Sequence, residues 1–424
     1  MTSHGVSPNH NLTVNGERLW DSLMETAKFG ATAKGGICRL TLSDSDRDVR
    51  DWFKARIESL GCTLTVDDMG VMYGRRRGRR DDLPPIALGS HLDTQPTGGK
   101  FDGALGTLAA LEVIRTLQAA GYETYAPIEI VNWTNEEGAR FAPALIASGV
   151  YAGAFDRDWA YARKDRSGMT FGEALGQIGY RGSEACGARK FSAFFELHIE
   201  QGPILEREGT DIGVVTGVQG ARWFDCTFTG QEAHTGSTPM SDRRNALVGA
   251  ARAVEAIDSI ARVHAPFAVA TVGMLEVTPN SRNVVPGYVF FTIDARHPTN
   301  STLDAMESDI RNALRKISVD LSLGSTVERI WSQEPTVFDS GCVDAVRTAA
   351  ATCGYRARDI VSGALHDAAY VARVAPAAMI FVPCRDGISH NEEEFSSPAQ
   401  CEKGAQVLLQ TVLAYDRALA KSAS

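Results

Sequence analysis

The chain has 424 residues, of which 44% are hydrophobic and 22% are charged, and its net charge is −9. This length favours two domains, and the negative charge gives no electrostatic basis for binding nucleic acid or an anionic membrane. No apolar run is long enough to span a membrane, and the polar segment Met1 to Trp20 lacks the features of a signal peptide, so we expect a cytoplasmic protein. The eight cysteines form no CxxC pair, which favours free thiols and argues against zinc bound through cysteine.

The first part of the chain alternates between helix-like and strand-like segments. Apolar residues at helical spacing predict helices at residues 46–60 and 103–120. Apolar runs predict strands at residues 63–72, 85–89 and 127–133. This alternation is typical of an α/β domain with helices on both faces of a largely parallel sheet.

The pattern changes near Gly217 and changes back near Glu334. The intervening strands and helices are predicted in the order β-α-β-β-α-β, at residues 222–230, 244–263, 268–277, 288–295, 303–317 and 326–331. This order is typical of a compact ferredoxin-like domain. Beyond it, a helix at 342–353 and a strand at 377–382 resume the α/β pattern. We therefore predict a discontinuous α/β domain, residues 1–217 and 334–424, interrupted by an inserted α+β domain, residues 218–333.

Polar residues that could bind a metal ion or take part in catalysis follow the predicted strands. His91 and Asp93 emerge where a buried strand ends, so His91 could bind a metal ion while Asp93 orients a neighbouring group. Asp102 lies beside Gly103 just before a helix, a position that also suits a helix N-cap. The adjacent Glu136 and Glu137 need a cation or a shared proton if they are buried, and would then serve as one ligand and one general base; otherwise they form an exposed turn.

His198 lies within a strand-like run that ends near Gln201, and His390 lies in a loop beyond another strand. Each histidine alone is compatible with a purely structural role. Together, the three histidines and the carboxylates suit a pair of zinc, manganese or similar ions. One carboxylate must bridge the pair, because two ions about 3.5–4 Å apart share an anion.

This series of motifs resembles the M20 family of metallopeptidases and amidohydrolases, over about residues 27–395. His198, within His-Ile-Glu-Gln-Gly-Pro, stands where the peptidases of that family usually carry a carboxylate. It resembles instead the carbamoyl-amidohydrolase branch. Further segments similar to this branch surround His234, Asn283, Arg296 and His366. One departure is Asn245, where the branch often has aspartate, and this position is expected to be peripheral.

The resemblance implies a metal centre and an assembly. His91, Asp102 and His198 would hold one divalent cation, and Asp102, Glu137 and His390 would hold a second. Zinc is the first expectation, and manganese, cobalt and nickel accept the same ligands. The inserted domain would act as a lid and form a homodimer in which His234 reaches the active site of the partner.

The resemblance also implies a reaction. The ureido group of an N-carbamoyl amino acid, either N-carbamoyl-β-alanine or an N-carbamoyl-L-amino acid, would be hydrolysed to the amino acid, ammonia and carbon dioxide, with Glu136 as general base. The substrate would contact His234, Asn283, Arg296, Gln201 and His366. Three alternatives stay open: an allantoate amidohydrolase, an M20 peptidase or N-acyl amino acid deacylase, and a non-catalytic dimer that binds metal or ligand.

Overall fold

The structure, a computed structural model, describes residues 12–422. Residues 1–11, which make up most of the polar segment Met1 to Trp20, lie outside the described residues. All eight cysteines are free, as the sequence predicted. Within residues 12–422, no helix is both long enough and apolar enough to cross a membrane.

The strands in chain order are β1 (Thr63–Val66), β2 (Met72–Arg76), β3 (Ile86–His91), β4 (Ile128–Trp133), β5 (Ala193–Ile199), β6 (Ile212–Val218), β7 (Gly220–Thr229), β8 (Ala233–His234), β9 (Val269–Thr278), β10 (Val284–Val285), β11 (Tyr288–His297), β12 (Gly324–Gln333), β13 (Thr336–Val337), β14 (Ala357–Ser362) and β15 (Ala377–Val382).

The α-helices in chain order are α1 (Gly16–Thr26), α2 (Asp44–Ser59), α3 (Ala104–Ala119), α4 (Ile146–Tyr151), α5 (Arg157–Tyr161), α6 (Phe171–Gln177), α7 (Ile204–Glu208), α8 (Ala246–Val263), α9 (Asn300–Asp320), α10 (Ser340–Thr352), α11 (Asp367–Val371) and α12 (Pro398–Ser422).

The chain divides into two compact units, of which the first comprises Met1–Thr216 and Val337–Ser424. Its sheet has the strand order β1-β2-β4-β3-β5-β15-β6-β13, and β14 pairs with β6. The four central strands β4, β3, β5 and β15 run parallel to one another, and the flanking pairs β2–β4 and β15–β6 are antiparallel. Their carboxyl ends therefore lie along one edge of the sheet.

The central strands are buried along their whole length, which explains why their sequences are continuous apolar runs rather than alternating patterns. Helices α3, α10 and α12 cover this sheet: α3 packs against β3, α10 and α12 pack against β15, and α12 also contacts α3. Thirteen of the sixteen residues of α3 are buried, so this helix is held firmly between the sheet and its neighbours.

The second unit comprises Gly217–Thr336. Its four-stranded antiparallel sheet has the order β12-β7-β11-β9, and helices α8 and α9 lie between its strands in the sequence. The two helices pack against each other and against the sheet, around a core that includes Phe228, Phe291 and Met306. This is the predicted ferredoxin-like arrangement. Asn245 caps α8 by accepting hydrogen bonds from the amides of two following residues, a role in which asparagine and aspartate are about equally good.

One predicted element is wrong. The segment predicted as one strand, residues 63–72, contains strand β1, a turn and the first residue of β2. Strand β1 ends at Val66, and β2 begins at Met72. The turn between them is organised by Asp67, whose carboxylate accepts hydrogen bonds from the amides of Met69 and Val71. A side-chain bond of this kind diverts the chain from an extended path.

Candidate metal centre

The parallel sheet brings four separate sequence segments to one edge. His91 is the last residue of β3, and His198 is the penultimate residue of β5. Glu136 and Glu137 follow the end of β4, and His390 lies in the loop after β15. Because β4, β3, β5 and β15 are neighbours in this order, these side chains are delivered to the same place, at which open α/β sheets usually bind ligands.

The first ligand group consists of His91, Asp102 and His198, whose donor atoms lie within 4.8 Å of one another. Oδ1 of Asp102 is 3.0 Å from Nε2 of His198 and 3.6 Å from Nε2 of His91. All three side chains are almost completely buried.

The second ligand group consists of Asp102, Glu137 and His390, again within 4.8 Å. Nε2 of His390 is 3.3 Å from Oδ2 of Asp102 and 3.4 Å from Oε2 of Glu137. The two oxygens of Asp102 therefore face different groups of donors, Oδ1 the first group and Oδ2 the second. Asp102 does not cap helix α3, whose N-cap residue is Gly103.

The donor atoms fit divalent cations. Nδ1 of His91 donates to the carbonyl oxygen of Asp93, and Nδ1 of His198 donates to that of Ile199, both at 2.9 Å. These bonds leave an unprotonated Nε2 on each neutral ring, directed at Asp102. Nε2 of His91 is buried without a hydrogen-bond partner among the described residues. Ligand atoms bound at 2.0–2.1 Å around a tetrahedral ion lie roughly 3.4 Å apart, which matches the observed separations.

Charge at the centre shifts the ionisation of its members. Burial would raise the pKa of Asp102, but its contacts with the histidines hold that pKa well below its usual range. The hydrogen bond to Asp102 raises the pKa of His390 to about 9. Burial and the charge of Asp102 raise the pKa of Glu137 to about 7. The ionised carboxylate of Asp102 therefore favours a positively charged partner beside it.

Glu136 and Asp93 lie beside the first ligand group. Oε2 of Glu136 is 3.5 Å from Nε2 of His91, and burial raises the pKa of Glu136 well above its usual range. The carboxylate of Asp93 accepts hydrogen bonds from the amides of Glu136 and Glu137, both at 3.3 Å. Asp93 thus fixes the turn after β4 beside the end of β3. The alternative of an exposed turn does not hold, because Glu136 is 7% exposed and the side chain of Glu137 is 4% exposed.

Gln201 and His366 take different positions around the centre. The Gln201 amide donates to Oδ2 of Asp102 at 3.0 Å and to the hydroxyl of Ser389 at 3.1 Å. The ring of His366 packs edge-on against His198, with centroids 4.5 Å apart, and its Nε2 contacts the hydroxyl of Ser362 at 3.0 Å. Burial lowers the pKa of His366 well below its usual value.

The remaining predicted site residues belong to the second unit. His234 is exposed in a small ribbon formed by β8 and β10, in which it lies opposite Val284. The next residue, Thr235, donates its amide to the carbonyl oxygen of Asn283 at 3.1 Å. Nδ1 of His234 accepts hydrogen bonds from the backbone amides of Gly236 and Ser237. A neutral ring in this position therefore carries its proton on Nε2. The Arg296 guanidinium pairs with the carboxylate of Asp294 at 2.8 Å.

Other residues lie beside the proposed metal-binding side chains, and their positions were not predicted from the sequence. Gln95 donates to both oxygens of Glu137. Glu196 accepts hydrogen bonds from the hydroxyl of Ser90 and the amide of Ala368, and it forms a third group of potential ligand atoms with His198 and His366. Glu394 accepts the amide of Asp102. The Glu392-Glu393-Glu394 run was visible in the sequence, but nothing in its spacing distinguishes the buried member.

Comparison with known proteins places the chain among amidohydrolases. Residues 87–414 match the family described as Peptidase family M20/M25/M40. An N-carbamoyl-L-amino-acid amidohydrolase of Rhizobium meliloti is 50% identical over 96% of this chain and 98% of its own length. An allantoate amidohydrolase of Bacillus subtilis is 34% identical over 92% of this chain and 95% of its own length.

A solved structure agrees with the sequence comparison. The crystal structure of an amidase of the hydantoinase/carbamoylase family from Burkholderia multivorans is 56% identical and covers 95% of this chain and 98% of its own. Its TM-score is 0.93. The predicted fold class, an α/β domain interrupted by a ferredoxin-like insertion, is confirmed.

Gly103 provides a test of the metal centre that changes no ligand. Its φ is +63°, and a Cβ atom added there would lie 2.4 Å from Nε2 of His91. We expect Gly103→Ala to displace the His91 ring and to lower the affinity for Zn²⁺ at least tenfold, measured by calorimetric titration of the metal-free protein.

Gly121 offers a matched control for this substitution. Its φ is +59°, but no atom lies within 4 Å of the added Cβ. Both substitutions place an alanine at a positive φ, and only Gly103→Ala collides with His91. Equal Zn²⁺ affinities in the two variants would show that the position of His91 does not matter for binding.

Proposed function

The chain belongs to the peptidase family M20/M25/M40, as its motifs predicted, and from this premise we propose that it is a metal-dependent amidohydrolase of N-carbamoyl amino acids. It would cleave the ureido group and release the amino acid, ammonia and carbon dioxide. N-carbamoyl-L-amino acids and N-carbamoyl-β-alanine are the proposed substrates. The names and the identities of the relatives support this class of substrate.

One observation carries the proposal: the two oxygens of Asp102 face two separate groups of ligand atoms. We propose that each group would hold one divalent cation, with Asp102 contributing an oxygen to each group. Nitrogen and oxygen donors of this kind suit zinc first, and also manganese, cobalt or nickel. When bound, such ions lower the pKa of water and polarise a carbonyl oxygen.

Glu136 is the proposed general base. It belongs to neither ligand group, it is buried, and burial raises its pKa, which makes its carboxylate a stronger proton acceptor. Glu136 would take a proton from the attacking water as the oxygen adds to the carbamoyl carbon. It would then return that proton to the leaving nitrogen. Asp93 would hold Glu136 in place through its backbone amide.

The other predicted residues are assigned to the substrate. Arg296 would bind the substrate carboxylate through its planar guanidinium, and Asn283 would add a hydrogen bond. The Nε2–H of His234 would stabilise the negative charge that develops on the carbamoyl oxygen. Gln201 and His366 would position the ureido group. We further propose that the second unit acts as a lid and forms a homodimer in which His234 serves the active site of the partner.

The first prediction concerns substrate class. Ammonia release should be observed with N-carbamoyl α- or β-amino acids after metal is restored, because the products follow from cleavage of the ureido group. The panel should include allantoate, dipeptides and N-acetyl amino acids. Turnover of allantoate alone would make the protein an allantoate amidohydrolase, and turnover of dipeptides or N-acetyl amino acids alone would make it a peptidase or deacylase. Metal binding without any turnover would favour a non-catalytic binding protein.

The second prediction concerns Glu136. Glu136→Gln keeps the shape of the side chain but removes its basicity, so we expect a fall in kcat of about 10²–10⁴-fold with an unchanged metal content. Glu393→Gln, in an exposed position, is the matched control and should retain full activity. A Glu136→Gln enzyme within about tenfold of the parent would rule out the proposed base.

The third prediction concerns the partner subunit. Glu136→Gln and His234→Ala should each be inactive as homodimers. If His234 acts across the dimer, a mixed dimer holds one intact site, so random exchange of subunits should restore about a quarter of the parent activity. Activity is measured after the two variants are unfolded and refolded together. No recovery in a sample shown to contain mixed dimers would place His234 in the site of its own chain.

A further inference from the structure

Glu394 is a buried carboxylate that contacts two of the loops of the metal centre. It is 4% exposed, and it has no role in the reaction proposed above. Its Oε1 accepts hydrogen bonds from the amides of Phe101 and Asp102, both at 3.0 Å. Its Oε2 accepts a hydrogen bond from the hydroxyl of Ser389 at 2.8 Å. One side chain therefore joins the segment that carries Asp102 to the segment that carries His390.

The chain makes room for this carboxylate. A Cβ atom at Gly99 would lie 2.2 Å from Oε1 of Glu394, so only glycine allows the carboxylate to approach the backbone before Asp102. The Ser389 hydroxyl also lies 3.1 Å from Oδ2 of Asp102. Glu394 thus supports Asp102 both through its backbone amide and through the hydroxyl next to its side chain.

The two ligand groups differ in how firmly the fold holds them. His91 and His198 lie on neighbouring strands of the buried sheet, and each ring is oriented by a carbonyl oxygen. His390 lies on a loop, its side chain is 51% exposed, and its backbone has a φ of +53°, which is uncommon for a residue other than glycine. The position of His390 therefore depends on what anchors its loop.

We propose that Glu394 is a positioning residue that sets the distance between Asp102 and His390 and thereby controls the affinity of the second ligand group for its cation. This inference rests on the proposed function, because it assumes that the second group holds an ion. The first group is affected less, because two of its three members are fixed by the sheet. Glu394 acts through hydrogen bonds rather than through its charge.

A comparison of substitutions separates the effect of the hydrogen bonds of Glu394 from the effect of its charge. Glutamine at position 394 would keep an oxygen to accept the amides of Phe101 and Asp102, and its amide nitrogen could donate to Ser389, whose hydroxyl would then donate to Asp102. Glu394→Gln should therefore preserve the geometry while removing the charge. Glu394→Ala removes every one of these bonds. Glu393→Ala, in the exposed neighbouring position, removes the same charge from the same loop and is the matched control.

The experiment is a titration of the metal-free protein with Co²⁺ alone, followed by visible absorption and calorimetry. We expect Glu394→Ala to weaken the second binding event by about 10–100-fold, the range found for residues that support metal ligands, while the first event changes less than the second. Glu394→Gln and Glu393→Ala should match the parent in both events. A Glu394→Gln variant as weak as Glu394→Ala would overturn the hydrogen-bond assignment in favour of charge, and equal weakening of both events by Glu394→Ala would overturn the selective role.

Amide hydrogen exchange supplies a readout that needs no metal. In the metal-free protein, Glu394→Ala should speed exchange at the amides of Phe101 and Asp102, and Glu394→Gln and Glu393→Ala should not. Unchanged exchange in Glu394→Ala would overturn the inference even if two ions bind. A parent protein that binds only one Co²⁺ yet shows the expected exchange would overturn the dinuclear function and leave Glu394 as the anchor of the two loops.

Discussion

The metal centre depends on one constraint: several carboxylates are buried together at the edge of a parallel sheet. Asp93, Asp102 and Glu136 are each less than a tenth exposed, and the side chain of Glu137 is equally buried. Like charges in such a setting must gain protons or positive partners, because burial strongly disfavours an unpaired ion. Burial raises the pKa values of Asp93, Glu136 and Glu137, whereas Asp102, which faces the histidines, has a lowered pKa. Asp102 therefore keeps its negative charge, which positive partners must balance.

The fold meets this constraint with two kinds of support. The histidines of the first ligand group lie on strands, so the ladder of the sheet determines where they point. The carboxylates lie mainly in turns and loops, where backbone amides are free to donate hydrogen bonds. Asp93 accepts two amides of the turn after β4, and Glu394 accepts two amides of the segment before α3. Anionic side chains thus fix the loops that carry other anionic side chains, a dense arrangement whose charge must be balanced by protons or by cations.

Much of this arrangement could be predicted from the sequence. The order of strands and helices and the inserted domain follow from hydrophobic periodicity, which is a local property. The ligand candidates stood out because histidines and carboxylates directly followed buried strands. Local patterns could not show that Asp102 faces both groups, since Asp102 taken alone suited a helix N-cap better than a ligand role. They also could not find Glu394, because its bond to the Asp102 amide spans 292 residues of sequence. The hairpin at β1 and β2 was missed because one aspartate side chain, Asp67, decides the turn.

The choice between a catalyst and a binding protein depends on Glu136. The residues of the two ligand groups are sufficient to hold cations, and Glu136 belongs to neither group. Keeping a further carboxylate buried beside His91 costs free energy, as its strongly raised pKa indicates. A protein that only bound metal would be more stable with a neutral or apolar side chain at this position. A proton acceptor beside the ligands has a use when a water molecule must be activated, so the position of Glu136 favours hydrolysis over binding alone.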